Sequence, residues 1–500
     1  MTDKDVFQEM SRSALIIFSG IVFGSVFNYI SRVLIGRFYG PEDYGLISLG
    51  LAVLGFATAV SHLGLRQGTS RWTSRFIDDK NKIKGITISA FKISLPLSIA
   101  ATFLLLIFPE ELSLLLNEPQ LPSIVRIFAI GVPLMIILDI FVAAIRGMQN
   151  SKYKVYSYDV IWPLIKVALV TTAVVLGLSI EFVAGFHVLT MAFAAASSFY
   201  FLRKILPWFK IKAGEFSSKK LVAFSWPLMI SSILLLILGW IDTFMISYFQ
   251  TSKEIGIYNA AYPTASVLIF VYSSFAYLLM PKASELYSNG RKDKLKNLYK
   301  TVVRWTTLLN LPILVFMLLF SGSIITLLFG QEFASGGAAL FALVIAYFVT
   351  SLGNPSGQML ISIGETKIYM MTFAIITSLN VALNIFLIPV YGFTGAAVAL
   401  VVSYLVGWSF SVYKVKKDIS WPLTKEILKP ASVAIILSLP LVLLEEFVTM
   451  NIFTLAASSL AYAGAYLYLL VWLELLEEEE REIVHFLLKK VKDKWRKTFR

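Results

Sequence analysis

The sequence contains no cysteine, few charged residues and only three histidines among its 500 residues. Without cysteine, disulfide bonds and thiolate metal sites are excluded. The histidines, His62, His187 and His485, lie far apart and none has the spacing of a metal-ligand pair, so we predict neither a metal site nor a cofactor. Charged residues make up 15% of the chain, whereas a soluble protein has about 25%. The chain is therefore predicted to be a membrane protein.

Long loops and nucleotide-binding motifs are also missing. The gaps between apolar stretches are rarely longer than about 20 residues, too short for a soluble catalytic domain, and none contains a P-loop. The net charge of +13 is spread over many of these short gaps, which argues against a nucleic-acid partner. We therefore predict no soluble enzyme domain, so any chemistry must use residues within the membrane helices.

What the chain does contain is hydrophobic sequence, with 57% hydrophobic residues and a mean hydropathy of +0.75. It divides into about fourteen apolar segments of about 20 residues, the length of a helix that crosses the hydrocarbon core of a bilayer. This pattern predicts an all-α integral membrane protein. The predicted helices lie near 13–35, 44–65, 85–108, 122–145, 155–177, 179–202, 221–249, 256–280, 300–320, 336–362, 367–389, 393–413, 430–445 and 452–474.

Lysine and arginine are concentrated in alternate gaps, and the remaining gaps are acidic or neutral. Glu110, Glu181 and Glu332 lie in acidic gaps, whereas the gaps after the second, sixth, eighth and twelfth helices are basic. The positive-inside rule places the basic gaps and both termini in the cytoplasm, in a multi-pass protein of the cell membrane. The first apolar run is too long for the apolar part of a signal peptide and is expected to remain as a helix.

Two halves of the chain resemble each other. LIGRFYGPEDYGLI (Leu34–Ile47) aligns with MISYFQTSKEIGIY (Met245–Tyr258), and the motif that begins at Lys166 aligns with the one that begins at Asn380. In the first alignment Phe38 matches Phe249 and Gly45 matches Gly256. A repeat of six helices keeps both halves in the same membrane orientation. We predict an N-lobe over 1–210, a C-lobe over 211–415, two further helices over 416–475 and a cytoplasmic amphipathic tail over 476–500.

Lys166 is predicted to lie deepest among the ionisable residues. It is about 11 residues, or roughly 16 Å, into a helix that spans about 30 Å. A lysine at that depth is expected to face water, an anion or a carboxylate. Asp159 lies two α-helical turns earlier on the same face, so the two residues could line one cavity. The alternative is that Lys166 forms a structural ion pair between helices, with Asp139 as the partner.

Arg32 lies one turn beyond Asn28 on the first helix. It either extends to the outer membrane surface or binds phosphate, for which a guanidinium has suitable geometry. Asp242 has the corresponding place in the seventh helix. A salt bridge with Arg32 at the outer mouth, a carboxylate that binds Na⁺ or H⁺, and a structural pair between helices all fit this position.

Other polar residues allow two interpretations each. Arg66, Arg71 and Arg146 either serve only to orient the protein or form a basic cytoplasmic vestibule for a diphosphate head group. Asn310, Asn380 and Asn384 either bind sugars or hydrogen-bond helices to one another. The predicted substrate-binding residues are Arg32, Lys166, Asn28, Arg66, Arg146, Asn380 and Asn384. The residues predicted for ion coupling or gating are Asp242, Asp159 and Asp139.

Three stretches carry a family resemblance. YISRVLIGRFYGPEDYGLISL, WPLMISSILLLILGWIDTFMISYFQTSKEIGIYNAAY and NVALNIFLIPVYGFTGAAVALVVSYL resemble Wzx-type polysaccharide flippases of the MOP superfamily, which also contains MATE exporters and lipid II flippases. The resemblance implies two six-helix lobes around a central cavity and transport by alternating access. The implied substrate is an oligosaccharide linked to a polyprenyl phosphate or diphosphate, and the implied energy source is an ion gradient, Na⁺ or H⁺. Arg32 matches the family's basic position in helix 1, and Asp242 matches its aspartate in helix 7.

Two related functions remain as alternatives. A MATE-type drug or metabolite antiporter has the same architecture but favours cations, whereas Lys166 and Arg32 favour an anionic substrate. A lipid II flippase has a closely similar substrate. The predicted partners are the lipid-linked glycan, membrane lipids and a coupling ion, without nucleic acid, and the expected state is a monomer.

Overall fold

The computed structural model describes residues 3–416, 425–447, 450–476 and 481. Within these ranges the chain forms helices and no strand, which confirms the prediction of an all-α membrane protein. The helices are, in chain order, α1 (Asp3–His62), α2 (Leu65–Arg75), α3 (Lys80–Ile107), α4 (Pro109–Leu115), α5 (Leu121–Ala129), α6 (Gly131–Gly147), α7 (Ser151–Lys154), a π-helix (Val155–Ile161), α8 (Trp162–Val175), α9 (Ile180–Ile205), α10 (Ser218–Phe249), α11 (Ser252–Ala265), α12 (Leu268–Ser288), α13 (Lys292–Leu319), α14 (Ser321–Phe329), a 3₁₀ turn (Gln331–Phe333), α15 (Gly336–Ser362), α16 (Thr366–Lys416), α17 (Lys425–Phe447) and α18 (Ile452–Trp472).

Every predicted apolar segment overlaps one of these helices, but two pairs of predicted helices are continuous in the structure. α1 contains the first and second predicted helices, and α16 contains the eleventh and twelfth. Each bends at a glycine with positive φ, Gly40 at 80° and Gly392 at 61°, a conformation that side chains with a Cβ rarely adopt. Each long helix therefore consists of two segments that are long enough to cross a bilayer separately.

The surface of the outer helices is apolar, as expected for contact with lipid. Among the described residues, nine helices are long and apolar enough to cross a membrane, or ten if α11 and α12 form one bent crossing. Only 17% of the most apolar window of α3, and of α18, is buried within the protein. Their exposed faces fit hydrocarbon rather than water. The count of fourteen crossings stays a prediction.

The fifth predicted helix begins irregularly, with the π-helix that precedes α8. Pro163 follows directly at the start of α8. Proline has no backbone N–H, and its ring clashes with the carbonyl four residues earlier, here that of Asp159. This clash gives a local reason for the wider turn at Val155–Ile161.

Matching positions of the predicted repeat meet at a close helix crossing near the bend of α1. A Cβ atom added at Gly45 would overlap the Ser252 carbonyl oxygen, and one added at Gly256 would overlap the Pro41 carbonyl oxygen. The same number of residues separates Pro41 from Ser252, Gly45 from Gly256, and Phe38 from Phe249. The two repeats therefore contact each other through equivalent residues, as in an interface with two-fold symmetry.

The described residues pack into two compact units. Unit 1 comprises those within Met1–Thr264, Leu328–Leu343 and Phe373–Val406, and unit 2 those within Ala265–Leu327, Val344–Thr372 and Gly407–Arg500. In unit 1 every residue of α6 from Leu138 to Ile145 is buried, because α3 and α9 cover this helix on different sides.

Unit 2 has its own core. It joins α12, α13, α15 and the end of α16 through buried residues that include Leu279, Tyr299, Met359 and Val415. The predicted lobes at 1–210 and 211–415 and the helix pair at 416–475 stay predictions. Apart from Leu476 and Arg481, the predicted tail at 476–500 lies outside the described residues.

Candidate functional site

Lys166 contacts the first membrane helix. Its Nζ atom lies 3.4 Å from Asn28 Oδ1 and donates a hydrogen bond to it. Asn28 in turn donates from Nδ2 to the Gly24 carbonyl oxygen at 2.9 Å, which directs its amide oxygen toward the lysine. Both side chains are half-buried, so they retain accessible surface. Lys166 lies near the middle of the Lys152–Val175 span.

A glycine allows this contact. A Cβ atom at Gly24 would lie 2.6 Å from the Asp159 carbonyl oxygen, so only a glycine lets α1 approach the π-helix this closely. One turn later, the same face of α1 presents Asn28 to Lys166 on α8. The sequence thus folds locally to hold a lysine against a neutral amide.

The charge around Lys166 is positive. Arg32, also half-buried, lies within electrostatic range of Lys166 and next to the hydroxyl of Tyr44. Among the described residues no carboxylate lies within ion-pair distance of either Lys166 or Arg32. This cationic cluster, defined here as Lys166, Arg32 and Asn28, is suited to attract an anion.

Asp242 is the centre of a second buried cluster. Its two carboxylate oxygens accept hydrogen bonds from Tyr258 OH at 2.5 Å and from Asn384 Nδ2 at 2.7 Å. Asn384 Nδ2 also lies 3.3 Å from Asn380 Oδ1. We call Asp242, Tyr258, Asn380 and Asn384 the carboxylate cluster.

Of the three alternatives for Asp242, the salt bridge with Arg32 is not formed among the described residues. In the part of the chain that the structure describes, no cation lies within 4.0 Å of Asp242, because neutral donors occupy both carboxylate oxygens. Asn380 and Asn384 are fully buried. The structure therefore favours the interpretation in which they join helices over direct contact with sugar, and buried Asn310, which donates to Ser351, follows the same pattern.

The two clusters occupy equivalent places in the repeat. Lys166 on α8 contacts Asn28 on α1. Asn380, which matches Lys166 in the repeat, lies on α16 next to Asn384, and Asn384 donates a hydrogen bond to Asp242 on α10. In each case the first and fifth predicted helices of one repeat meet through polar side chains. One cluster is cationic and the other contains a carboxylate.

Asp159 and Asp139 form ion pairs away from Lys166. Asp159 Oδ2 lies 2.6 Å from Lys154 Nζ, five residues earlier, which is the spacing that a π-helix brings onto one face. The π-helix replaces the α-helical spacing that was expected between Asp159 and Lys166, and the interpretation that both residues line one cavity stays a prediction. Asp139 Oδ1 lies 3.5 Å from a terminal nitrogen of Arg66, so the alternative pair of Lys166 with Asp139 is not formed either.

The predicted basic residues near the cytoplasmic ends separate into two places. Arg66 is paired with Asp139, and its guanidinium lies 5.9 Å from the centre of the Tyr158 ring. Arg146 instead lines an open cavity of about 560 Å³ together with Arg71 and Arg75. Within the described residues, no group of three or more His, Asp or Glu side chains is arranged to hold a metal ion.

Three polar residues in or near the described polar contacts could not be predicted from the sequence. Tyr258 lies inside the repeat segment, two residues after Gly256, yet a tyrosine in an apolar helix gives no signal of a carboxylate partner. Lys154 was hidden because its pairing depends on the π-helix. His187 is buried near Lys166 and bonded to the Val183 carbonyl oxygen, and its isolation in sequence concealed that position.

Ionisable groups deep in apolar helices mark the pathways of substrates and ions in membrane proteins. The helical fold therefore defines a multi-pass membrane protein that holds one cationic and one carboxylate cluster in equivalent helices.

Comparison with known proteins gives the family. The model of the polysaccharide biosynthesis protein family matches residues 10–287, and that of the MatE family matches residues 227–386. The chain belongs to the polysaccharide biosynthesis protein family, within the MOP superfamily. The resemblance to polysaccharide flippases is confirmed.

Three relatives illustrate this membership. An uncharacterised membrane protein of Methanocaldococcus jannaschii is 26% identical over 58% of this chain and 58% of its own length. A probable low-salt glycan biosynthesis flippase, Agl15 of Haloferax volcanii, is 23% identical over 80% and 82%. A putative O-antigen transporter of Shigella flexneri is 21% identical over 73% and 88%. The chain thus spans little more than half of the first relative and over four fifths of the other two.

Solved structures show the same fold. The lipid II flippase MurJ, in an inward closed conformation, superposes with a TM-score of 0.71 at 17% identity, over 91% of this chain and 97% of its own. An inward-facing MATE multidrug transporter superposes with a TM-score of 0.69 at 17% identity, over 81% and 98%. At such identities the likeness concerns the fold alone.

Proposed function

We propose that this protein is a flippase that moves an oligosaccharide linked to a polyprenyl phosphate or diphosphate from the inner to the outer leaflet by alternating access. The observation that supports this function most directly is the cationic cluster. Lys166 and Arg32 lie in membrane helices, are partly accessible, and have no carboxylate partner among the described residues.

The chemistry of the substrate fits such a cluster. Transfer of sugar and phosphate through hydrocarbon is prohibitive without a polar path, since each unsatisfied polar group costs several kcal/mol. Cationic side chains along that path offset the loss of water around the phosphate, while the lipid tail stays in the bilayer. The family and the names of the two glycan-related relatives point to the same substrate class.

The carboxylate cluster supplies a means of energy coupling. Carboxylate and amide oxygens are ligands that Na⁺ accepts, and a buried carboxylate binds H⁺ readily. We propose that Asp242 binds the coupling ion and that Asn380 and Asn384 orient it. The protein acts as a monomer without catalysing a chemical reaction, and both termini lie on the cytoplasmic side of the cell membrane.

A MATE-type antiporter is the second candidate, favoured by the MatE match over residues 227–386. Its cationic substrates would be repelled by Lys166 and Arg32. A lipid II flippase is the third, because its substrate also contains a polyprenyl diphosphate.

Depletion of the protein in its own cells separates these functions. We expect lipid-linked oligosaccharide to accumulate on the cytoplasmic leaflet while efflux of ethidium stays unchanged, because the cationic cluster selects anions. Extraction and leaflet-specific labelling of the lipids, alongside dye efflux, give the readout. Slower ethidium efflux with normal glycan lipids would indicate the antiporter, and accumulation of lipid II would indicate the third function; either result contradicts the proposal.

A further inference from the structure

One face of α2 is polar and lines the open cavity of about 560 Å³. Gln67, Ser70, Arg71, Ser74 and Arg75 repeat at intervals of three or four residues, so their side chains lie on the same side of this helix. The remaining lining comes from Arg146 and Gly147 at the end of α6. We call this cavity the α2 pocket.

The pocket is built by close packing of two helices. A Cβ atom at Gly147 would lie 2.5 Å from the Ser70 carbonyl oxygen and 2.6 Å from Thr73 Cβ. The end of α6 therefore packs directly on the backbone of α2, and this contact brings Arg146 beside the polar face. Gly147 is thus a structural requirement of the pocket.

Three arginines in the pocket lack an acidic partner in the part of the chain that the structure describes. Within the described ranges, no carboxylate lies within 4.0 Å of Arg71, Arg75 or Arg146, whereas Arg66 at the other end of α2 is paired with Asp139. The three side chains are exposed to solvent. Their positive charge is available to an anion.

Aromatic rings orient two of these arginines. The guanidinium of Arg71 lies 4.1 Å from the centre of the Phe224 ring on α10, and that of Arg75 lies 5.4 Å from the Trp72 ring. Stacking on a ring leaves the N–H donors at the edge of a guanidinium free. Those donors match the paired oxygens of phosphate, and the hydroxyls of Ser70 and Ser74 add further donors.

We propose that the α2 pocket binds the diphosphate group of the carrier lipid before the sugar enters the membrane domain. The inference rests on the proposed flippase function and gives it a separate docking site, away from Lys166. A diphosphate fits three free guanidinium groups better than the phosphodiester of a membrane phospholipid, because it has more negative charge and more acceptor oxygens.

Direct binding to the full-length protein tests this assignment. The protein is placed in nanodiscs of phosphatidylcholine and titrated with inorganic pyrophosphate and with farnesyl diphosphate. Combined replacement of Arg71→Gln, Arg75→Gln and Arg146→Gln should weaken both affinities about tenfold or more, since charge-assisted hydrogen bonds are lost. The matched control is Arg291→Gln, Lys294→Gln and Lys296→Gln, an identical charge change at exposed residues at the start of α13.

The lipid source is distinguished by a second set of nanodiscs, of equal parts phosphatidylglycerol and phosphatidylcholine. Affinity for farnesyl diphosphate that persists there supports a diphosphate site. Loss of that affinity would assign the pocket to phospholipid head groups and overturn the proposal. Unchanged binding by the pocket variant, or equal loss in the control variant, would also overturn it, provided that both variants keep the melting temperature of the parent.

The experiments distinguish a wrong assignment of the α2 pocket from a wrong assignment of the flippase function. Lys166→Ala should leave pyrophosphate affinity unchanged, because Lys166 is not part of the α2 pocket. If the protein proves not to be a flippase, the pyrophosphate titration still reports on the pocket. If only the pocket assignment is wrong, transport persists in the variant without the three arginines.

Discussion

At the scale of single residues, Lys166 and Asp242 are the two membrane residues on which the proposed transport depends. An ionisable residue near the middle of the bilayer costs at least about 2.5 kcal/mol, so it needs a partner or a function. Lys166 has a neutral amide as its hydrogen-bond partner, and Asp242 has a phenol and an amide. Neither charge is neutralised within the described chain, which is expected of groups that meet a charged substrate or ion.

Replacement of Asp242 by asparagine isolates the role of its charge. Asparagine has nearly the same shape and still accepts a hydrogen bond, so Asp242→Asn should fold normally and lose the stimulation of transport by an ion gradient. The measurement is the transport rate in vesicles with and without a Na⁺ or H⁺ gradient. Glu332→Gln, a comparable change at an exposed residue, is the control. Equal stimulation in Asp242→Asn would exclude Asp242 as the coupling residue.

Sequence identified the important ionisable residues but not their partners. The depth of Lys166 and the place of Asp242 in the repeat follow from counting along apolar segments. The pairs of Asp159 with Lys154 and of Asp139 with Arg66 do not, because they depend on a π-helix and on contacts between helices. Tyr258 was missed because nothing local distinguishes it from other membrane tyrosines.

At the scale of helices, the crossing at Gly45 and Gly256 is a close contact between the two predicted repeats. Backbone meets backbone there, so neither position has room for a side chain. We propose that this crossing closes the outer end of the transport path and separates during each cycle. The absence of cysteine from the chain makes the idea simple to test.

A larger residue at the crossing should favour the open state. Thr264 is buried, with its hydroxyl bonded to Tyr29. In Thr264→Cys, we expect slow reaction with an impermeant maleimide added outside the cell. The reaction should be about fivefold faster or more once Gly45→Leu is added, since overlap costs at least about 1 kcal/mol.

Gly185→Leu is the matched control for that experiment, because a Cβ atom at Gly185 meets no other atom within 4 Å. It should leave the labelling rate of Thr264→Cys unchanged. Slow labelling in the Gly45→Leu protein would show that the crossing does not close the path.

The sequence predicted the helices better than the bends and connections between them. Every apolar run of about 20 residues overlaps a helix of the structure, because a run of that length suits a membrane helix, while the count of fourteen crossings stays a prediction. The continuity of α1 through Gly40 and of α16 through Gly392 could not be predicted, since a glycine is equally suited to a bend and to a loop. The π-helix depends on a clash at Pro163 whose outcome, a kink or a wider turn, sequence does not decide.

At the scale of the whole molecule, the proposed transport needs a polar route through an apolar protein. The family, the repeat and the two polar clusters fit one arrangement, in which one cluster meets the anionic head group and the other meets the coupling ion. Alternating access then follows from rocking of two similar halves. The lobes and the α2 pocket supply the remaining parts of this proposal.

Translocation in reconstituted vesicles tests the central claim most directly. A fluorescent oligosaccharide linked to a polyprenyl diphosphate is incorporated into both leaflets, and its movement is followed with an impermeant quencher. The wild-type protein should move it, Lys166→Arg should retain part of the rate, and Lys166→Ala should lower the initial rate at least about tenfold, because the anion loses its cationic partner. Lys92→Ala, at an exposed lysine of α3, should have no effect. Equal rates for wild type and Lys166→Ala, with equal melting temperatures, would contradict the account.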